Sequence, residues 1–361
     1  MIHVFIGTKA QLIKMGPVMK ELENRNVTYN FIISGQHSET MDMLIENFGL
    51  KQPDVRLYDG PDITKIPQML VWGVKIIIKA IKQRQKILKG DRKGIILNHG
   101  DTFSALIGSL LAKCAGLKNA HIESGLRSYN LLHPFPEEIT RLIIFWLTDY
   151  YFCPNQLAVD NVKRYRGVKI NTQNNTLYDS LKLAQYNDEI KNLDKPNEKF
   201  AIATLHRYEN VFNKKSLLNI VNMVEEFAKA IKVLFILHPP TKKNLEKYDL
   251  LARLRDNPNI ELRPRYDYFD FISLVNKAEF LISDGGSNQE ESSYLGKPCI
   301  LLRKATERPE GLGENVVLSN YKLETIRHFI NNYSLYRQEL VINHESPSKI
   351  IVDALLEGRF A

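Results

Sequence analysis

The sequence predicts an α/β protein built from two doubly wound domains. Short apolar runs alternate with amphipathic stretches of helical length along 361 residues, the pattern of βα units on a parallel sheet. That length exceeds what one hydrophobic core ordinarily holds and suits two domains. Clusters of glycine, histidine and acidic residues follow the apolar runs directly, at the strand ends where open parallel sheets bind ligands.

Each element follows from its own residues. Ile2–Ile6 is a strand that runs into Gly7-Thr8-Lys9 and a helix from Ala10 to Asn24. This turn is neither a P-loop nor a full dinucleotide fingerprint. It still presents backbone N–H groups at a helix N-terminus, where an anion is favoured. Val27–Ile33 is a second strand, followed by a helix from Thr40 to Phe48. From Leu70 to Lys89, Val71, Val74, Ile77, Ile78 and Ile81 share one helical face, and Lys75, Lys79, Lys82, Lys86 and Lys89 occupy the rest. The apolar face is expected to cover the sheet, with the lysines in water. Such a helix also suits weak association with an anionic membrane surface. Gly94–Asn98 is a buried strand ending in His99-Gly100-Asp101-Thr102, and Phe103–Ala115 is helical.

The second half repeats this logic. Asp188–Lys199 is polar and reads as a connection. Strands follow at Phe200–Thr204, Val233–Leu237, Ile260–Leu262, Phe280–Ser283 and Pro298–Leu302, with helices between them. Asp284-Gly285-Gly286-Ser287 is a small-residue turn opening a helix, a second phosphate cradle.

Composition narrows the function. An apolar content of 44% with 25% charged residues is globular, and no apolar run reaches the about 18 residues of a membrane span. The chain opens on a strand, so no secretory signal is expected. Cys114, Cys153 and Cys299 stand singly, without metal-site spacing, which fits a reducing cytoplasm. A net charge of +8 suits an anionic substrate. Basic residues are not interleaved with aromatics, so no nucleic-acid partner is expected.

The stretch Asn119–Arg141 concentrates the chemistry, with two His, three Glu and two Arg in a segment that is mostly loop. Ala120-His121-Ile122 ends a buried strand and places Glu123 at its carboxyl end. Pro134 and Pro136 keep the following chain extended. Glu137 and Glu138 then open a helix running to Leu147, where acids suit the dipole. The first half thus contributes acids and the second His206, Arg207 and a glycine turn. An acid-rich side facing a phosphate-binding side across a cleft suits a nucleotide sugar.

With these motifs assembled, the chain resembles the UDP-N-acetylglucosamine 2-epimerase family, whose fold is similar to the GT-B glycosyltransferases. The resemblance rests on His99–Thr102 (HGDT), His121–Ser128 (HIESGLRS), Pro134–Arg141 (PFPEEITR), His206–Asn210 (HRYEN), Asp284–Glu291 (DGGSNQEE) and Thr306–Glu310 (TERPE). It implies two Rossmann-like domains: residues 1–168 with 345–361 returning to them, and residues 169–344 as the nucleotide-binding domain. Glycine and proline bracket the crossings between them, so a hinge is expected near Arg166-Gly167-Val168 and near Asn343–Pro347. By motif position it implies Lys14, Asp101, Glu123, Glu137 and His206 as catalytic. It implies Lys9, Arg141, Arg207, Gly285, Gly286, Ser287, Glu291 and Arg308 as substrate-binding. Asp101 and Glu137 would move protons at C2 with Glu123 in support, and His206, Arg207 and Lys14 would stabilise the leaving diphosphate. Neither a metal nor a redox cofactor is required. The implied partners are a UDP-sugar and a second copy of the chain.

The sequence departs from the family pattern in its first loop, where GTRPEAIK becomes GTKAQLIK. Lys9 is a point charge and cannot clamp a phosphate bidentately as arginine does. DSGG becomes Asp284-Gly285-Gly286-Ser287, and TGNT becomes Gln173-Asn174-Asn175-Thr176. The implied reaction is non-hydrolysing 2-epimerisation, by elimination of UDP to a glycal and re-addition, for surface-polysaccharide precursors. A hydrolysing 2-epimerase, an epimerase of a related UDP-amino sugar, a GT-B-type glycosyltransferase and a non-catalytic nucleotide-sugar-binding module use the same motifs and stand as alternatives.

Overall fold

The computed structural model describes residues 1–37, 41–63, 66–130, 136–186, 196–306, 308–339 and 345–358. The chain divides into two compact units, residues 1–183 with 344–361, and residues 184–343.

The first unit holds a seven-stranded parallel sheet. Its strands are β1 (Ile2–Ile6), β2 (Tyr29–Ile33), β3 (Val55–Arg56), β4 (Ile95–His99), β5 (Lys118–Ile122), β6 (Tyr150–Cys153) and β7 (Val168–Asn171), in the spatial order β3-β2-β1-β4-β5-β6-β7. The order reverses between β1 and β4, so the switch point lies beside the Gly7 turn and His99. Every residue of β1, β2 and β4 is buried, as expected for central strands covered on both faces. The helices are α1 (Lys9–Asn24), α2 (Met41–Asn47), α3 (Ile66–Lys82), α4 (Arg84–Ile87), α5 (Phe103–Ala115), α6 (Glu137–Leu147), α7 (Gln156–Val162) and α8 (Leu177–Tyr186).

One expectation for this unit is corrected. On α3 the buried face is Trp72, Ile76 and Ala80, while Val71, Val74 and Ile78 are 59%, 57% and 48% exposed. The helix is apolar on two sides, and Trp72 and Ile76 take the core because they bury more area against Phe5, Ile96 and Ile107. Val168, beside which a domain boundary and a hinge are expected, lies in this unit. Val168 opens β7, pairs with Tyr150 and donates its N–H to Asp149 O.

The second unit holds a six-stranded parallel sheet: β8 (Phe200–Thr204), β9 (Lys232–Ile236), β10 (Ile260–Arg263), β11 (Leu281–Ser283), β12 (Cys299–Leu301) and β13 (Val316–Leu318), ordered β10-β9-β8-β11-β12-β13. Its switch point lies between β8 and β11. The helices are α9 (Tyr208–Val211), α10 (Lys214–Ala228), α11 (Pro239–Lys247), α12 (Leu251–Arg255), α13 (Tyr268–Lys277), α14 (Gly286–Tyr294) and α15 (Leu323–Asn332). Val221, Phe227, Phe235, Phe280 and Phe329 form its core.

The chain then returns to the first unit as α16 (Pro347–Glu357), which packs on α1. Ser346 caps α16, and Asp179 anchors it by accepting from Ser346 Oγ (2.9 Å) and Ser348 N (2.8 Å). Among the described residues no helix is long and apolar enough to cross a membrane.

Candidate active site

In the first unit the turn after β1 is built by its own side chains. Thr8 caps α1, and Gln11 completes a capping box. Gln11 Oε1 accepts from Gly7 N (2.9 Å) and Thr8 N (3.1 Å), and Gln11 Nε2 donates to His99 O (2.7 Å). One buried amide thereby ties the ends of β1 and β4 together. A Cβ at Gly7 would lie 1.9 Å from Ser104 Oγ and 2.4 Å from Ser34 Oγ, so only glycine fits there. Lys9 is half-buried in the first turn of α1.

Glu123, just beyond β5, has φ of +61°. A left-handed non-glycine residue costs about 1–2 kcal/mol and persists only where its surroundings fix it. Here they do. Glu123 Oε1 accepts from Lys14 Nζ (2.5 Å) and from Asn175 Nδ2 (2.5 Å), and Glu123 Oε2 lies 3.6 Å from His99 Nε2. Burial, the largest influence on His99, pushes its pKa down to about 3, so the ring is neutral at pH 7. His121 is likewise neutral, pushed down to about 4 first by burial. Its Nε2–H donates to Gly100 O (2.7 Å), which leaves Nδ1 to accept from Ser124 Oγ (2.9 Å). Lys14, expected at the diphosphate, is thus engaged by Glu123.

Asp101 follows β4 and takes a charge-assisted hydrogen bond from Arg141 Nη2. Arg141 Nη1 also reaches Glu138, whose carboxylate is fully buried and further binds Arg127 Nε and Ser128 N (3.0 Å). Burial alone would raise the Glu138 pKa, but the Ser128 N–H and the two guanidinium groups outweigh it and hold it below the usual range. Glu138 is therefore the strut of this loop, and the sequence offered no sign of it beside Glu137. Glu137 opens α6, and its Oε2 is enclosed without a hydrogen-bond partner among the described residues. Pro134 of the same motif lies outside them.

In the second unit His206, Arg207, Gly285, Gly286, Ser287, Asn288 and Arg308 line a cavity of about 280 Å³. Five of the predicted substrate-binding residues and the predicted catalytic His206 therefore come together here. Asp284, fully buried, organises the wall by accepting from His206 N (3.0 Å), Arg207 N (3.0 Å) and Asn210 Nδ2 (2.9 Å). Tyr321 Oη in turn donates to Asn210 Oδ1 (2.7 Å). The His206 ring stacks on His238 with centroids 4.5 Å apart, and burial, more than any neighbouring charge, lowers its pKa. A Cβ at Gly285 would lie 3.0 Å from His206 Cε1, so the glycine lets the imidazole approach. Gly285 is the N-cap of α14 and makes no side-chain cap, so the first N–H groups of α14 face a site suited to an anion. Glu291 sits one turn on and accepts from Asn288 Nδ2 (2.9 Å). Arg308 pairs with buried Glu290 (2.7 Å), while Gln289 Nε2 donates to Arg308 O and Glu310 O (2.9 Å each) and fixes that loop. Glu307 lies outside the described residues.

Asn175, Gln11, Glu138, Asp284, Asn210 and Gln289 escaped the sequence reading as site residues. Each acts by holding another residue, and only tertiary contacts reveal that.

Comparisons with known proteins bear on the family. The family model described as UDP-N-acetylglucosamine 2-epimerase matches residues 20–341. A UDP-N-acetylglucosamine 2-epimerase of Methanocaldococcus jannaschii is 32% identical over 346 residues, covering 90% of each chain. That of Neisseria meningitidis serogroup A is 31% identical and covers 98% of each. Among solved structures, the M. jannaschii enzyme superposes with a TM-score of 0.82 at 28% identity, covering 99% of both chains. The N. meningitidis enzyme bound to UDP-GlcNAc gives 0.81 at 30% identity, covering 99% of this chain and 100% of that one. With two Rossmann-like units and this match across nearly its whole length, the chain belongs to the UDP-N-acetylglucosamine 2-epimerase family of nucleotide-sugar epimerases.

Proposed function

We propose that this enzyme is a non-hydrolysing UDP-N-acetylglucosamine 2-epimerase, interconverting UDP-N-acetylglucosamine and UDP-N-acetylmannosamine through a glycal. The observation that carries the reading is the polar cluster at the carboxyl ends of β4 and β5. There Glu123 is held in a left-handed backbone between Lys14 and Asn175, and Asp101 is held by Arg141. The bound UDP-GlcNAc of the N. meningitidis relative and the UDP-GlcNAc and UDP of the M. jannaschii relative support the same nucleotide sugar here.

The chemistry follows from those groups. A carboxylate takes the C2 proton while the C1–O bond to the diphosphate breaks. The C2–H electron pair becomes the C1=C2 bond of the glycal, and the C1–O pair leaves on the β-phosphate of UDP. In the reverse sense that oxygen adds to C1 as C2 is protonated on its other face. Inversion needs an acid/base group on each face, and Asp101 and Glu137 take those roles, with Glu123 in support. Lys14 keeps the Glu123 carboxylate charged. In the second unit, Arg207, Arg308 and the N–H groups at the start of α14 meet the negative charge that develops on the leaving diphosphate, and Lys9, at the start of α1 in the first unit, is assigned to substrate binding. His206 is neutral at pH 7 and supplies an N–H donor, and Glu291 takes the ribose hydroxyls. Neither a metal nor a redox cofactor enters these steps. The product would supply a surface-polysaccharide precursor.

The exposed apolar residues of α3 and α6 support a homodimer. Leu70, Val71, Val74 and Ile78 on α3 and Ile139, Ile143 and Trp146 on α6 are exposed, and both helices pack on α5. A second copy covering them is the reading adopted, with a weak membrane-surface contact through Lys75 and Lys82 as the alternative outcome.

The experiment is oxygen-18 exchange. UDP-GlcNAc labelled in the bridging C1 oxygen is incubated with enzyme, and recovered substrate is examined by ³¹P NMR. Movement of the label into a non-bridging β-phosphate position is expected, because UDP is released and re-added. Epimerisation with the label fixed in the bridge would overturn C1–O cleavage.

A further inference from the structure

We infer that Asn175 is a positioning residue that holds the Glu123 carboxylate in its working orientation; the inference rests on the proposed role of Glu123. The argument starts with the Asn175 amide itself. Asn175 is 5% exposed, so both ends of its side chain need partners. Its Oδ1 accepts from Leu177 N (3.1 Å), at the first residue of α8. A backbone N–H can only donate, so this contact fixes which end of the amide is oxygen. The other end is therefore Nδ2, which donates to Glu123 Oε1.

The contact has a second property. Lys14 Nζ and Asn175 Nδ2 approach the same oxygen of Glu123, from α1 and from the loop after β7. Two donors on one oxygen aim the other, Oε2, at the strand end beside Gly100 and His99, where a Cβ on Gly100 would lie 3.3 Å from it. The groups facing Glu123 among the described residues include Lys14 on α1, His99 on β4, His121 on β5 and Asn175. Burial keeps both histidines neutral at pH 7, so Lys14 supplies the charge and Asn175 the orientation. The strained φ of Glu123 is also explained, since the left-handed turn brings its side chain back to these donors.

Asn175→Asp separates this role from plain structure. An aspartate oxygen still accepts from Leu177 N, so the start of α8 is kept. The other oxygen, however, now meets Glu123 as like charge, which favours protonation of the pair. The expected result is a kcat at pH 6.5 lowered by about tenfold or more, KM changed by less than about twofold, and a variant-to-wild-type kcat ratio that climbs as pH rises to 9. Asn175→Ala is the companion variant. It loses both contacts, so it is slow but with a ratio independent of pH. Thermal melting confirms that each variant is folded. If Asn175→Asp keeps wild-type kcat and pH profile while Asn175→Ala is impaired, Asn175 only caps α8 and the inference fails. Glu123→Gln separates this failure from that of the underlying reading. Wild-type turnover by Glu123→Gln sinks the role of Glu123, whereas slow Glu123→Gln beside normal Asn175→Asp sinks only the positioning inference.

Discussion

Replacing Glu138 by Gln tests how the loop after β5 is held. The Glu138 side chain has no exposed area and serves Arg127, Arg141 and the Ser128 N–H. Glutamine keeps the shape and one carbonyl oxygen but turns an NH₂ group towards a guanidinium. Breaking a buried ion pair costs about 3–5 kcal/mol. Arg127 and Arg141 keep 15% and 12% of their side-chain surface, so water recovers part of this and the lower figure of about 3 kcal/mol applies. With a urea slope near 3 kcal/mol/M for a unit of this size, the midpoint for the first unit falls by about 1 M. Folding lowers the Glu138 pKa. Its stabilisation is therefore complete above the unfolded value of about 4.3 and is lost as pH falls through the lower folded value. The assay is urea unfolding of both proteins from pH 7 downwards. Wild type should lead by about 1 M at pH 7, and the lead should shrink below about pH 4. A difference under about 0.2 M at pH 7, or one unchanged in acid, would refute the reasoning.

Three other outcomes are expected. Asp101→Asn, Glu123→Gln and Glu137→Gln should each lower turnover by about a hundredfold while UDP affinity, read by calorimetry, stays within about threefold; near-full turnover would remove that residue from the chemistry. Asp284→Ala removes the acceptor that holds the His206 and Arg207 N–H groups, while Asn210 Nδ2 keeps Leu302 O, and at about 1 kcal/mol or more for each of those N–H groups, UDP binding should weaken at least about tenfold by calorimetry; unchanged affinity would mean the loop holds without Asp284. Val74→Glu with Ile78→Glu should leave the fold intact, since both residues are about half exposed, yet give a monomer by light scattering; a persistent dimer would place the interface elsewhere, and wild type that is monomeric but binds anionic vesicles would favour the membrane contact.

Much of the fold is legible because buried parallel strands write themselves as continuous apolar runs. Ile2–Ile6 and Phe200–Thr204 are observed with the expected limits. The short edge strands β3 and β13, of two and three residues, carry no periodicity to detect. On α3, Trp72 and Val71 differ by one position, so a helix apolar on two sides gives no sign of which of them meets the sheet. The site was legible where chemistry sits in consecutive residues, as in His99–Thr102 and Asp284–Ser287. It was not legible where a partner comes from afar. Asn175 reaches Glu123 across 52 positions, and Asp284 reaches His206 across 78. Glu137 and Glu138 are adjacent and chemically identical in sequence. Helix geometry turns one into the arginine core and leaves the other with an enclosed oxygen that has no partner among the described residues.

The most direct test of the central claim is turnover of UDP-N-acetylglucosamine in D₂O, followed by ¹H and ³¹P NMR. Proton removal and return at C2 predict that UDP-N-acetylmannosamine forms with deuterium at C2 and an intact diphosphate. Accumulation of free UDP with free sugar would contradict the non-hydrolysing reading, and epimer that retains its C2 proton would contradict proton transfer at C2 altogether.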